Sequence, residues 1–356
     1  MRVGVIGTGS SGIQSIPIIA KQAKHLTVFQ RTPNFSVPAR NTSLSLERVA
    51  QLKRDIKQIR ETCRWSTIGQ PYDWKDTEAL KVDPEARRHQ FEADWQKGGF
   101  EWMFGSYRDL MVNKDANETA ANFVREKIRG IVKDPEVARK LIPEYPIGTK
   151  RLPLDADYFE TYNRSNVELV DLRESPIEQI VPTGIRTRDK TYALDAIVFA
   201  TGFDALTGPL TRIDIRGRGG QRLDAKWSTG PQTYLGVSTL GFPNMFMITG
   251  PGSPSVLGNM PVSIEQHVDW ICDCIAHLRM RGASTIEPTK DGEEAWGAHV
   301  KALADATLFP QTDSWYMGAN IPGKPRVFLP YIGGFGTYRK LCADIAAKGY
   351  EGFTIA

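Results

Sequence analysis
The feature that most constrains this chain is Gly7-Thr8-Gly9-Ser10-Ser11-Gly12, a GxGxxG run placed directly after the apolar stretch Arg2-Val3-Gly4-Val5-Ile6 and directly before a helical pattern from about Ile13 to Ala23. A second apolar stretch, Leu26 to Gln30, completes a βαβ unit. In that setting the first glycine permits the tight turn, the second lets a pyrophosphate approach the backbone, and the third lets helix and strand pack closely. The bare N–H groups at the helix start then hold phosphate oxygens. The pattern predicts a dinucleotide site; the competing reading is a glycine-rich turn that serves packing alone.

The end of the second strand selects the dinucleotide. A site for NAD or FAD places an acid there for the ribose 2′-hydroxyl. This chain has Gln30-Arg31-Thr32 instead. A guanidinium pairs with a 2′-phosphate in two-pronged fashion, so NADP is the expected ligand, against the plain alternative of a solvated arginine at a strand end.

The chain has 356 residues, more than the about 250 to 300 at which single cores stop growing. More than one domain is expected. With 41% hydrophobic and 24% charged residues the chain reads as globular, and a net charge of +4 spread over its length points to neither nucleic acid nor an anionic membrane. No run approaches the about 18 apolar residues of a membrane span, and no signal-peptide pattern opens the sequence, so a cytoplasmic location is expected. Cys63, Cys272, Cys274 and Cys342 are too few for a disulfide framework. Cys272 and Cys274 lie two apart in a helical pattern and so face different sides, and the histidines His25, His89, His267, His277 and His299 show no ligand spacing. No metal site is predicted, and surface or satisfied core roles are expected for the histidines.

From Thr42 to about Tyr145 helical texture dominates, as in Leu46, Val49, Leu52 and Ile56, with a start signal at Asp134-Pro135-Glu136. Strand candidates return at Val167 to Val170, Ala196 to Ala200, Thr233 to Val237 and Met245 to Thr249. Ser263-Ile264-Glu265-Gln266 reads as a capping box opening a helix to about Met280, and another helix is expected from about Glu293 to Thr307. The helical block therefore reads as an insertion into an α/β framework.

Three further segments are open to two readings. Gly148-Thr149-Lys150-Arg151 offers adjacent cations or a plain surface loop. Asp195 to Gly202 reads as a buried strand ending in a small-residue turn, suited to a ligand or to a crossing chain. The loop Gly250 to Met260 is a functional loop or a connector, and Trp315 in Ser314-Trp315-Tyr316 is a ligand contact or a core tryptophan. Arg216 to Gly220 reads as a flexible hairpin turn.

Taken in order, Gly-Thr-Gly-Ser-Ser-Gly-Ile-Gln from Gly7, Val-Phe-Gln-Arg-Thr-Pro-Asn from Val28, Gly-Thr-Lys-Arg from Gly148, Ala-Thr-Gly-Phe-Asp-Ala from Ala200, the Gly250 loop and Ser-Trp-Tyr from Ser314 resemble the Baeyer–Villiger monooxygenases, the phenylacetone, steroid and cyclohexanone enzymes among them. The likeness covers nearly the whole chain. It implies an α/β fold: a Rossmann-type NADP domain at 1–38 and 147–198, a helical insertion at 39–146, and the C-terminal part of an FAD-type α/β domain at 199–356. It further implies that FAD and NADPH together convert a ketone, bulky aryl or cyclic, and oxygen to an ester or lactone through a peroxyflavin.

By the same resemblance, Gly7, Thr8, Gly9, Ser10, Ser11, Gly12, Ile13 and Gln14 belong to the cofactor site, Thr8 to Gln14 lining the pyrophosphate, while Arg31, Thr32 and Lys150 hold the 2′-phosphate. Trp315 bonds the nicotinamide-side ribose and Met260 touches the flavin. Arg151 matches the active-site arginine, an electrostatic role that a preorganised cation suits. Ser255, Val256 and Leu257 border the ketone pocket. The family's earlier GxGxxG for FAD and its histidine-tryptophan fingerprint are not in this sequence. The expectation is thus a C-terminal part of such an enzyme, arising by truncation, misplaced start or split chain, with an N-terminal FAD-binding segment as its partner. A flavin monooxygenase oxidising nitrogen or sulfur is the rival activity, and a non-catalytic NADP-binding remnant the rival of another class.

Overall fold
Consecutive apolar residues make buried parallel strands, and here they do so at once. In the computed structural model, which describes residues 1–356, β1 (Arg2–Ile6) and β2 (His25–Gln30) pair in parallel with Val5 opposite Val28. The connecting α1 (Ser10–Gln22) buries Ile13, Ile16 and Ala20, a spacing of three and four that puts one apolar stripe against the sheet. The strand Val167–Asp171 pairs with the far side of β2 and Ala196–Phe199 with the far side of β1, giving a four-stranded parallel sheet. Ala196–Phe199 was expected to be buried. It is instead an edge strand paired on one side only, and Phe199 is 61% exposed. Next to it, Ile177–Val181, Gly184–Thr187 and Thr191–Ala193 form a small antiparallel sheet.

The chain divides into two units. The first holds residues 1–43 and 74–203, the second 44–73 and 204–356. In the first unit the helices Pro84–Lys97 and Lys114–Ile131 enclose an aromatic cluster, where Trp102 stacks on Phe123 with centroids 5.9 Å apart and meets Trp95 edge-on at 6.1 Å. Asp134 caps the helix Pro135–Leu141 as its sequence signal predicts, accepting from Glu136 N at 2.8 Å and Val137 N at 3.2 Å.

In the second unit α2 (Leu46–Trp65) is a helix as expected, but the stripe Leu46, Val49, Leu52 and Ile56 is not its buried face: Leu46 is 89% exposed and Ile56 48%. Only Cys63, in the last turn, is buried, where α2 meets the helix Phe335–Ala347. The unit's core gathers Leu235, Val237, Trp270, Cys274, Trp296, Tyr331, Tyr338 and Cys342. Cys272 is exposed and Cys274 buried, on opposite faces of one helix.

Neither Thr233 to Val237 nor Met245 to Thr249 forms a strand. Leu235, Asn244 and Thr249 have φ of +56°, +59° and +55°, so the chain turns at each, and the ladder-like contacts stop at a bridge from Tyr234 to Ser238 and one bond between the two segments, Met247 N to Val237 O at 2.8 Å. Tyr234, Leu235, Val237 and Met247 are buried without a neighbouring strand, which is burial that sequence pattern alone cannot distinguish from sheet, while Ile248 is 49% exposed. The helix expected at Ser263 begins earlier, at Met260–Met280, with Asn259 before it and Pro261 in its first turn. Proline there needs no N–H partner and sets a helical φ, so it starts the helix and leaves Ser263 inside, its hydroxyl buried without a partner. The next helix is Lys290–Asp305, capped by Thr289 through Gly292 N at 3.1 Å. No helix is long and apolar enough to cross a membrane.

Candidate functional site
The glycine turn after β1 is built for close backbone approach. Gly7 has φ +105°, and a Cβ there would stand 2.4 Å from Ala200 O. A Cβ on Gly12 would stand 2.2 Å from Gly7 O, so that glycine lets α1 sit against the turn. Gly9 differs: nothing lies within 4 Å of its Cβ position, and it is exposed immediately before α1. Directly after Gly9, the N–H groups of Ser10, Ser11 and Gly12 at the start of α1 have no intrahelical acceptors, and α1 carries no acid in its first turn. A diphosphate fits such a cradle by both geometry and charge.

Its neighbours are fixed from within the same unit. Thr8 is buried and its Oγ1 donates to Thr32 O at 3.0 Å, tying the glycine turn to the end of β2. Ile13 N closes the first helical turn on Gly9 O at 2.9 Å, and Gln14 Nε2 donates to Leu154 O at 3.2 Å. Arg31 is exposed one residue beyond β2 and makes no ion pair, leaving its guanidinium available to an anion.

The Lys150-Arg151 segment reaches this loop through residues that sequence reasoning missed. Asn34 Nδ2 donates to Arg151 O at 3.2 Å, Tyr145 Oη donates to Asn34 Oδ1, and Phe35 N donates to Tyr145 Oη at 3.3 Å. Lys150 Nζ lies 4.8 Å from the centre of the Tyr145 ring. Thr149 is fully buried, and its Oγ1 donates to Pro146 O at 2.6 Å. Gly148 has φ +87°, and a Cβ would meet Met111 Sδ at 2.7 Å, so the turn into Lys150 is packed as well as bent. Burial pushes the Tyr145 phenol well above its ordinary range, keeping it a neutral donor. Asn34 closes the motif that starts at Val28, but the sequence assigns no role to it or to Tyr145, because the hydrogen bonds between them and to Arg151 and Phe35 span more than a hundred residues.

Just beyond Arg151, Asp155 is buried and accepts from Tyr158 N at 3.1 Å. Burial raises its carboxyl to about 6. This group too has no sequence signature.

The remaining predicted site residues belong to the second unit. Ser255–Leu257 is a 3₁₀ turn directly before Met260, which opens the helix Met260–Met280. Ser255 is buried with φ +44°, while Val256, Leu257 and Met260 are half-buried. Trp315 begins the 3₁₀ turn Trp315–Met317 and is half-buried rather than a core tryptophan, its ring 4.2 Å from that of Tyr316. The structure thus brings the glycine turn, Arg31, Thr32, Lys150 and Arg151 into one unit, and Ser255, Val256, Leu257, Met260 and Trp315 into the other.

No family model matches the chain. It is 44% identical over 358 residues to the acetone monooxygenase (methyl acetate-forming) of Gordonia sp. strain TY-5, covering 100% of this chain and 67% of that one. It is 45% identical over 356 residues to a phenazine N-monooxygenase of Lysobacter antibioticus, covering 99% and 65%. The chain therefore spans about two thirds of the length of these relatives. Its fold matches the solved complex of OTEMO with FAD and NADP at a TM-score of 0.97 and 42% identity, over 100% of this chain and 66% of that one. With ordered motifs, fold and relatives agreeing along its whole length, the chain belongs to the Baeyer–Villiger monooxygenase family.

Proposed function
We propose that this chain provides the NADPH-binding and ketone-facing machinery of an NADPH- and FAD-dependent Baeyer–Villiger monooxygenase, which converts a ketone and oxygen to an ester or lactone. The observation that carries the reading is the bond from Asn34 to Arg151 O, which joins the loop after β2 to the Lys150-Arg151 pair. This bond to the Arg151 backbone supports reading the anchoring cations and the candidate active-site cation as parts of one framework.

NADP fits the residues present: an open Gly9, free amides on α1 and an unpaired Arg31. In this reading 1–38 and 147–198 serve as the NADP domain, 39–146 as the helical insertion and 199–356 as part of the FAD domain. Gly7 and Gly12 shape the turn, Thr8 to Gln14 hold the pyrophosphate, Arg31, Thr32 and Lys150 the 2′-phosphate, and Trp315 the nicotinamide-side ribose. FAD enters from the relatives, one of which was solved with it, and Met260 is this chain's contact toward it. When bound, NADPH supplies hydride and FAD activates oxygen. Arg151 would stabilise the negative charge that develops as the ketone reacts, the electrostatic role of a cation beside the reacting group. Ser255, Val256 and Leu257 border the ketone. Four free cysteines, Cys63, Cys272, Cys274 and Cys342, suit the reducing cytoplasm.

A second reading is oxidation at nitrogen, favoured by the 45% identity to the phenazine N-monooxygenase. One experiment addresses both. The chain is incubated with FAD and freed of unbound ligand, its spectrum is followed on anaerobic NADPH addition, and it is then given oxygen with a ketone, a sulfide or a phenazine. Bound flavin that bleaches, followed by ester formation, supports the proposal; oxidation of the heteroatom alone supports the second reading. A colourless chain that still binds NADPH identifies an NADP-binding module without activity of its own.

A further inference from the structure
The loop that leads to Ser255 is tied at its first residue by one buried histidine. His267, on the helix Met260–Met280, is fully buried, and its Nδ1 accepts the backbone N–H of Thr249 at 2.8 Å. On the other side of the ring, Nε2 lies 2.9 Å from Tyr338 Oη, and the Tyr338 hydroxyl donates to Leu235 O at 2.5 Å. One assignment of protons satisfies all three contacts. Thr249 N is a donor, so Nδ1 is bare; a neutral ring then carries its proton on Nε2 and gives it to Tyr338, whose own proton goes to Leu235.

What His267 holds is conformationally demanding. Thr249 is a β-branched residue at φ +55°, in the left-handed region. Its carbonyl accepts from Ser255 Oγ at 3.2 Å, and Ser255 is itself left-handed at φ +44°. Two strained residues, bonded to each other, therefore bracket Gly250 to Pro254, and the bracket's only side-chain tether to a helix at the Thr249 N–H is His267. The middle of the loop is held separately, by Gly252 N to Leu329 O at 2.7 Å, Tyr331 N to Ser253 O at 2.8 Å, Trp296 Nε1 to Gly252 O at 3.0 Å and Thr233 Oγ1 to Pro251 O at 2.8 Å, so what His267 governs is the Thr249 end.

We propose that His267 is a positioning residue for the candidate ketone pocket: by accepting the Thr249 N–H in its Nε2-protonated form, it holds Thr249 left-handed and so sets where Ser255, Val256 and Leu257 stand. Tyr338 is the group that fixes the tautomer. The inference rests on reading that loop as the pocket's border, so its test has a readout that does not depend on activity.

In the full chain, ¹⁵N NMR of the histidine ring is expected to show Nε2 protonated and Nδ1 bare, and amide exchange to show Thr249 protected. His267→Leu should speed Thr249 exchange about 10- to 100-fold, the loss of one buried bond. His267→Asn, whose side-chain oxygen stands near the position of Nδ1, should restore most of that protection. With a flavin-loaded, active chain, His267→Leu should raise KM for ketone about tenfold more than it lowers kcat, with His267→Asn near wild type. A proton on Nδ1, or unchanged Thr249 exchange in a folded His267→Leu variant, overturns the proposal. If His267→Leu does not fold, the ring tautomer and the His267→Asn exchange pattern decide. Inactivity of the wild-type chain bears on the proposed function and leaves the exchange and NMR outcomes to judge His267.

Discussion
Gly9 and Gly12 sit three residues apart in one motif and do separable work. Gly9 has φ −80° and ψ −168°, a conformation open to any residue, and empty space at its Cβ position. Gly9→Ala should leave stability within about 0.5 kcal/mol yet weaken NADPH binding about tenfold or more by intruding on the pyrophosphate. Gly12→Ala drives a methyl into Gly7 O and should cost about 2 kcal/mol or more. Thermal melts beside NADPH titrations separate the two, and equal melting losses would contradict the division. Arg31→Ala should weaken NADPH about 10- to 100-fold while barely changing NADH, measured by fluorescence titration; equal losses would remove the 2′-phosphate from Arg31. These residues were readable because the motif is contiguous. The roles of Asn34 and Tyr145 were not, although Asn34 ends the motif from Val28, since their hydrogen-bond partners lie more than a hundred residues away.

At the scale of elements, local signals worked where the backbone itself was the subject. Asp134 is the case in point; Asn113, not singled out in the sequence, caps in the same way, accepting from Asp115 N at 3.0 Å and Ala116 N at 3.2 Å at the start of the helix Lys114–Ile131. Asn113→Ala should cost about 1 kcal/mol, seen as a lower denaturant midpoint at unchanged slope. Signals failed where two of them competed or where burial was taken for pairing. Asn259-Met260-Pro261 outranks the Ser263 capping box because proline fixes φ one turn earlier. Thr233 to Val237 and Met245 to Thr249 carry strand-like apolar content, but left-handed residues at Leu235, Asn244 and Thr249 break any ladder. The stripe on α2 is a true helix pattern, yet only the turn at Cys63 has something to pack against.

For the whole molecule, two buried titrating groups act in opposite directions on stability over nearly the same pH range. Asp155 rises from its ordinary 3.8 to about 6, so the folded chain retains a proton that the unfolded chain loses; stability from this group is full below about 4 and is lost as pH rises through about 6. His267 falls from 6.5 to about 4 on burial, so the unfolded chain binds the extra proton; its contribution is full above about 6.5 and is lost as pH falls through about 4. Each shift of about two units corresponds to about 3 kcal/mol. Asp155→Asn, which keeps the acceptor for Tyr158 N, should therefore gain on the wild type as pH rises from 4 to 7 in parallel urea titrations. A difference that stays flat with pH would show that Asp155 titrates normally.

The sequence by itself determined what neighbouring residues can settle: the βαβ opening, the three glycine roles, the cation at the end of β2, and through six ordered motifs the family. These rest on local backbone geometry and on groups a few residues apart, which any fold containing them must respect. Only the tertiary structure decided which distant groups meet: Asn34 with Arg151 across 117 residues, Tyr338 with His267 across 71, and Asp155 out of water. A buried polar group must find its partner wherever packing delivers one, and packing is a property of the whole chain.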